Sequence, residues 1–551
     1  MDRAATRTGH SLRAALGVRA LPLLLGVQLA NAVAVWVHVV AVQWMLTVRG
    51  ESAFVISMAP AAMAVPFLLF ALPLGVVVGY ASREKLMVAS TSVSALTALT
   101  LVLATSAGLT HPTVLLATVG MVGSALVVVG VSWQSLLPEV VGRGLVPAAS
   151  LLDGAVFNVA RAVGPLLAGI GLGLFVPAAT FGLVAALFGG CALTLVLHQR
   201  RATPGRRGPR RPVLPAIGGA LHFARHSPWT RRLLWRMTMF GLPASAMWAL
   251  VSLVAYERFD LDSDGFGVMM ALLGSGAVVG TVTLGPLRHR CSVKVFAAAL
   301  STVYAATLVA LGSFAPLGLV GIFLVLGGVA WVGVQSTWMM LAHQALPDWV
   351  RPRIIALVLF LFQGTQALGS LVWGVAADLV GLTGALATAA VMMVISVAVL
   401  LRSGLGSSVG IEPVLADADA SVAAVAAEAG EGQLVVRYDY RVDESADDRF
   451  AEAMAHLRLS RLRMGAQHWS LTKDSAQPGV YTETYRVASR GDLLEQETER
   501  LTVPEQRLRH AVAETAAQVY GPSVEPVTAS GEGAVATQPD GQGIRDTESE
   551  E

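Results

Sequence analysis

Charge is scarce in this chain. Only 14% of its 551 residues are Asp, Glu, Lys or Arg, against about 25% in an ordinary soluble domain. With a mean hydropathy of +0.62, that scarcity over such a length excludes a soluble enzyme and leaves a polytopic helical membrane protein. Lysine is nearly missing, three residues against 36 arginines, which reflects codon composition more simply than phosphate binding. Cysteine is rarer still. Cys191 and Cys291 sit in or beside apolar runs, so there is neither a disulfide framework nor a CxxC metal site, and no cofactor or metal is expected.

The charge that is present is divided unevenly. Residues 1–402 hold 26 basic and 11 acidic residues, net +15, whereas residues 403–551 hold 13 and 26, net −13. A basic membrane body is therefore followed by an acidic soluble tail. Apolar runs long enough to span a bilayer fall at 20–46, 53–79, 86–107, 112–137, 148–172, 174–198, 231–256, 265–287, 293–313, 316–342, 354–380 and 382–401, twelve in all. The first is too long for a signal-peptide core and reads as a membrane helix. With a cytoplasmic N-terminus, 23 basic residues fall in cytoplasmic segments and only Arg49 and Arg258 outside. This bias places both termini in the cytoplasm, in a bacterial inner membrane.

The longest basic connection, HQRRATPGRRGPRRP at 198–212, divides the body into six plus six. Its charge is explained by insertion topology, so no nucleic-acid partner is expected. Near the end of the second helix of each half lies a Gly-x-x-x-Gly, Gly75 to Gly79 and Gly276 to Gly280. Recurrence at equivalent positions points to a parallel repeat. The expected organisation is an arm at 1–19, a six-helix bundle at 20–198, a basic loop at 199–230, a second bundle at 231–402 and a linker at 403–431. A soluble domain at 432–527 and a disordered end at 528–551 follow. In the soluble domain the order β-α-β-β-α-β suggests a ferredoxin-like α+β module. Its two helices should cover one face of the sheet and leave the other apolar, favouring a homodimer. His468 lies beside Trp469 on a strand, where the tryptophan is the residue expected to pack.

Several segments together resemble a known family. WVHVVAVQWMLT (36–47), LPLGVVVGYASREK (72–85), SWQSLLPEVVGRG (132–144), FNVARAVGPLLAG (157–169), LPDWVRPRIIA (346–356), FQGTQALGSLVWG (362–374) and RLRMGAQHWSL (461–471) occur in that order. They are similar to the transmembrane secretion effector family of the major facilitator superfamily, whose relatives include enterobactin-exporter-like proteins and multidrug efflux permeases. The resemblance implies a twelve-helix all-α body, export of a small organic molecule such as a siderophore, secondary metabolite or drug, and alternating access coupled to protons. It implies a gating loop at Gly75, Gly79, Arg83 and Lys85. The Asp and Arg usual four and five residues after the first glycine are replaced by Gly79 and Tyr80. Gly164, Pro165 and Gly169 resemble the exporter-associated Gly-Pro motif, whose physical content is close packing and a kink. The tail resembles an antibiotic-biosynthesis-monooxygenase-like fold without a matching catalytic motif.

Polar groups inside hydrocarbon need partners or water. On the first helix, Gln28, Asn31 and His38 fall within a stripe of about 80°, read either as a cavity wall or as interhelical bonding. His38 is a candidate proton carrier. The fifth helix carries Asp153, Asn158 and Arg161. Eight residues at about 1.5 Å put Asp153 roughly 12 Å from Arg161, too far for an ion pair, and Asp153 is the second proton-coupling candidate. Gln335, Gln363 and Gln366 complete the candidate cavity. The expected partners are the bilayer, a small-molecule substrate and protons. Competing readings are an importer, a receptor or scaffold signalling through its tail, and a membrane-tethered monooxygenase. The last must contend with a tail that holds no Asn and only His456, His468 and His510.

Overall fold

In a computed structural model the chain forms two compact units, the helical body and the C-terminal tail. The structure describes residues 12–80, 82–199, 213–288, 290–404, 414–416, 422, 424–426, 432–475 and 477–527. The arm before residue 12, the arginine-rich stretch 200–212, most of the expected linker and the end beyond 527 lie outside the described residues.

Backbone polar groups have no water to bond in hydrocarbon, so the apolar runs become helices. These are α1 (Leu21–Val48), α2 (Ala53–Tyr80), α3 (Arg83–Ser106), α4 (Pro112–Val141), α5 (Val146–Leu174) and α6 (Pro177–Gln199). After α7 (Val213–His226) come α8 (Pro228–Leu253, continued by a π turn at Val254–Arg258), α9 (Ser263–Arg288), α10 (Val293–Gly312), α11 (Leu317–Ala345) and α12 (Arg351–Ser403). Among the described residues eleven helices are long and apolar enough to cross a membrane. The last is 53 residues long and contains one non-helical residue, Gly381, at φ 78° and ψ 163°. A side chain would strain that backbone, which is why the break falls on glycine. Within the expected basic loop, the apolar spacing of Leu214, Ile217 and Leu221 produces α7. Sequence punctuation sets other ends. Pro112 opens α4, whose first turn is capped by the His111 ring accepting from the Thr113 N–H, and Gly142 at φ 76° closes it.

The halves cohere through small residues. Gly276 of α9 lies directly against the Val325 carbonyl of α11, and Gly328 of α11 against the Leu273 carbonyl. The Gly-x-x-x-Gly of the second half is thus a backbone contact between α9 and α11. Gly75 and Gly79 fall in α2, and their surroundings lie outside the described residues.

The tail contains β1 (Leu434–Arg441), α13 (Asp447–Met464), β2 (Gln467–Lys473), β3 (Val480–Val487), α14 (Arg490–Glu495), α15 (Val503–Thr515) and β4 (Gln518–Pro526). The sheet order is β2-β3-β1-β4, antiparallel throughout. Alternation decides the faces. Leu434, Val436, Tyr438 and Tyr440 are buried with Phe450, Met454 and Leu457 of α13. The opposite face carries Val435, Arg437, Asp439 and Arg441 beside Thr482, Thr484 and Arg486. The expected apolar open face is therefore corrected to a polar one, because every second β1 residue after Val435 is charged. Trp469, not His468, turns inward, its Nε1 donating to Glu483 at 2.8 Å.

Glu483 is fully buried and also accepts from Tyr440 Oη at 2.8 Å and Arg461 Nε at 3.4 Å. The Arg461 guanidinium lies over the rings of Tyr438 and Tyr485, 5.0 and 4.8 Å away. Arg509 closes a two-bonded pair with buried Glu497 at 2.7 and 2.8 Å. At the surface, Lys473 2.6 Å from Asp447 holds that carboxyl below the usual carboxylate range. Removing one partner from a buried pair strands the other charge, at a cost of about 3–5 kcal/mol. Arg461→Ala or Glu483→Ala should therefore unfold the tail. Amide exchange in the full chain would show protection lost across β1 and β3 and retained in α1–α6; retained protection in the tail would contradict this account.

Candidate functional site

Arg161 lies near the middle of α5, in a body whose helices are otherwise largely apolar. Its guanidinium stays charged at any accessible pH. Nη1 donates to Asn158 Oδ1 at 3.4 Å, one turn away, while Nε is enclosed without a hydrogen-bond partner. The guanidinium carbon lies 5.7 Å from the ring centroid of Trp36 on α1, 5.8 Å from Phe157 and 6.0 Å from Trp248 on α8. Asn158 reaches from α5 to α9, its Nδ2 donating to Thr281 Oγ1 at 3.0 Å. The charge therefore sits on the seam between α1–α6 and α8–α12.

An aromatic chain leads from it into the second half. Trp36 and Trp248 are 5.8 Å apart between ring centroids, Trp248 and Trp331 5.6 Å, and Trp331 and Phe362 5.5 Å. Tyr304 and Phe240 join beyond Trp331. The indole Nε1 atoms of Trp248 and Trp331 are enclosed without acceptors. Sequence reasoning missed these tryptophans. The available signal was their position inside apolar runs rather than at the membrane interfaces that tryptophan favours.

Helix rotation sorts the α1 candidates. Trp36 and Gln43 are seven residues apart and share a face; Gln43 Nε2 donates to the Trp248 and Ala249 carbonyls at 3.1 and 3.4 Å. His38, two residues from Trp36, points about 200° away. It is fully buried inside the first half, with Nε2 3.3 Å from Thr118 Oγ1 and its ring 5.6 Å from Phe181. Asn31 is buried on that side too. Asn31 and His38 of the α1 polar stripe thus face their own half and not the seam. Gln28 and Gln366 each enclose an Oε1 without a hydrogen-bond partner, and Gln335 and Gln363 are half-buried.

Asp153, half-buried near the start of α5, accepts from Trp133 Nε1 at 2.8 Å and Gln134 Nε2 at 3.2 Å. Arg83 pairs with Glu139 of α4, and Lys85 is exposed. Arg288 donates to Ser336 at 2.7 Å. These contacts at the Asp153 end each stay within one half.

At the end carrying the α1–α2 turn the two halves are joined. Asp378 of α12 accepts from the Ala53 and Phe54 N–H groups at the start of α2, at 2.8 and 3.0 Å. Trp44 stacks on Phe266 with centroids 5.1 Å apart. Gly374 lies against Ser57 and Gly173 against Asp264. The Gly-Pro motif serves both directions. Gly164 lies against Trp36 Cβ inside the first half, whereas a Cβ on Gly169 would be 2.5 Å from the Ser263 carbonyl of α9. Pro165 is the proline inside α5, and its carbonyl in turn would lie 2.9 Å from a Cβ on Gly267. A separate hollow of about 490 Å³, lined by apolar residues of α9 and α11 such as Met269 and Ile322, shares no residue with this seam.

Two helical halves joined at one end around a charged seam define a membrane transporter of the major facilitator type. Solved structures of the nucleoside transporter NupG and of a bacterial homolog to the human lysosomal transporter Spinster share this fold, with TM-scores of 0.56 and 0.53, both at 13% identity. The matches cover 69% and 71% of this chain and 98% and 95% of those chains. A family model described as transmembrane secretion effector matches residues 14–529, and the chain belongs to that family. It is 24% identical over 375 residues to the multidrug efflux pump Tap of Mycobacterium tuberculosis (strain ATCC 25618 / H37Rv), covering 65% of this chain and 87% of that one. It is 27% identical over 161 residues to the uncharacterized MFS-type transporter y4rN of Sinorhizobium fredii (strain NBRC 101917 / NGR234), covering 29% of this chain and only 38% of that relative.

Overfilling a tight helix contact costs about 1–3 kcal/mol, so Gly169→Val should part the joined end. With Cys191 and Cys291 replaced by serine, a cysteine at buried Ser57 would report this as faster labelling by a water-soluble maleimide. Unchanged labelling would show that the Gly169 contact does not hold the halves together.

Proposed function

We propose that this chain is a proton-coupled exporter of a small organic molecule, working by alternating access of the Arg161 seam. The observation that carries this reading is the asymmetry of contacts between the halves. Asp378, Trp44, Gly169 and Gly374 tie them at the α1–α2 end, while Arg83, Asp153 and Arg288 make their bonds within one half at the other. Rocking about the seam would exchange which end is joined. The basic-residue bias makes the joined end the outer one and both termini cytoplasmic. On this reading Gly381 is the turn between two membrane crossings of α12, since 53 residues of helix would measure roughly 80 Å against a hydrocarbon core of about 30 Å. That gives twelve crossings in two sets of six.

Likeness to a multidrug efflux pump supports export over uptake. Asp153 is the favoured coupling group. It is half-buried, stands near the cytoplasmic end, and accepts hydrogen bonds from Trp133 and Gln134. The tail's strand order, read from the other edge as β4-β1-β3-β2, supports a ferredoxin-like module in the cytoplasm, with an interaction or regulatory role rather than a catalytic one.

Reconstituted protein should accumulate members of a drug and siderophore panel when a pH gradient is imposed, and exchange them by counterflow without one. Asp153→Asn should lose most gradient-driven accumulation yet keep counterflow. His38→Ala, altering a site inside the first half, should change the driven rate far less. No accumulation and no counterflow by folded wild-type protein across the panel would end the transporter reading; equal driven rates in Asp153→Asn and wild type would remove Asp153 from coupling.

A further inference from the structure

We infer that the Arg161 seam selects planar aromatic anions, such as aromatic carboxylates and phenolates, over organic cations; this rests on the transporter reading and specifies its substrate class. The first observation concerns charge. Arg161 is a fixed cation near mid-helix whose nearest polar partner is the neutral Asn158, 3.4 Å away. Among the described residues no carboxylate stands within ion-pair reach of it. A carboxylate or phenolate from a ligand would supply the missing charge through two parallel N–H···O bonds that asparagine cannot match.

The second observation concerns the rings. Aromatic faces in a binding cavity would ordinarily attract an organic cation. Here the rings of Trp36, Phe157 and Trp248 already surround a cation belonging to the protein, within 6.0 Å of each. A cationic ligand would compete with Arg161 for those faces and be repelled by it. An aromatic anion meets no such conflict. Its ring can stack on Phe157, which is 41% exposed, while its oxygens turn to the guanidinium one helical turn along.

The third observation concerns hydrogen-bond sense. Along the run Arg161, Trp248 and Trp331, three donors are enclosed without partners: Arg161 Nε, Trp248 Nε1 and Trp331 Nε1. Such a run is matched by a ligand rich in acceptor oxygens and mismatched by an ammonium or guanidinium, which brings only donors.

The test is equilibrium binding to purified full-length protein with three probes: salicylate, its neutral amide salicylamide, and the cation tetraphenylphosphonium. Salicylate should bind at least about tenfold tighter than either other probe, quench tryptophan fluorescence, and lose that advantage in Arg161→Gln. Arg161→Lys, which keeps charge but not the fork, should fall between. The wild-type ranking needs no variant, so it decides the matter even if Arg161→Gln fails to fold. Tighter binding of tetraphenylphosphonium, no binding of salicylate, or salicylate binding unchanged in folded Arg161→Gln would each overturn the inference. Gradient-driven accumulation of cations without salicylate binding would leave the transporter reading intact while removing this one. Salicylate binding by a protein that moves no panel compound would do the reverse.

Discussion

Close approach of helix backbones is the interaction on which the membrane body depends. Lipid tails are as apolar as the side chains they would replace, so burying leucine against leucine gains little there, and contact geometry decides instead. In this protein the decisive contacts are made where no side chain intervenes: Gly276 on the Val325 carbonyl, Gly328 on the Leu273 carbonyl, Gly274 on Ala162. The first two bind α9 to α11 inside one half, and the third binds α5 to α9 across the seam. Because Gly274 meets α5 beside Arg161 itself, the contact that brings the halves together also fixes where the buried charge stands.

Much of the body was legible in sequence because hydrocarbon leaves so few choices. Apolar runs fixed by bilayer thickness match helix ends to within four residues, except that the runs 354–380 and 382–401 lie in one helix, Arg351–Ser403, with the non-helical Gly381 between them. The rotation of each helix was less legible. The polar stripe on α1 was plain, but a stripe does not say which neighbour it faces, and packing turned His38 toward Thr118 and Phe181. The residues that do face the seam, Trp36 and Gln43, were hidden because tryptophan counts as apolar and a single glutamine carries little weight. Arg161 stood out for the opposite reason: no packing arrangement makes a mid-membrane guanidinium cheap.

The C-terminal tail follows different rules. Its core encloses Glu483 with Arg461, which lies over two tyrosine rings, and Glu497 paired with Arg509. Such networks add little net stability compared with a hydrophobic core but penalise any other arrangement of the strands heavily. The alternation in LVVRYDYR marked a strand with two unlike faces, but the open face, expected to be apolar, carries Arg437, Asp439 and Arg441. The partners of the buried charges were not announced, because they come from α13, the π turn at Gln496–Arg500 and α15, far along the chain.

The two margins of that sheet also bear on how many copies can share one membrane. A tail tied to a bilayer-embedded body is confined to two dimensions, which raises its encounter rate with identical neighbours, and unpaired strand margins are the natural template for runaway cross-chain pairing. Here β4 carries Pro522 and Pro526, which have no N–H to offer, and its register with β1 is interrupted between Arg437 and Asp439. On the other margin, β2 slips register between Gln467 and Ser470, His468 adopts φ 49°, and the strand ends in Lys473. Both margins are thereby spoiled as templates, so crowding can rise without the tails zipping into a continuous ribbon.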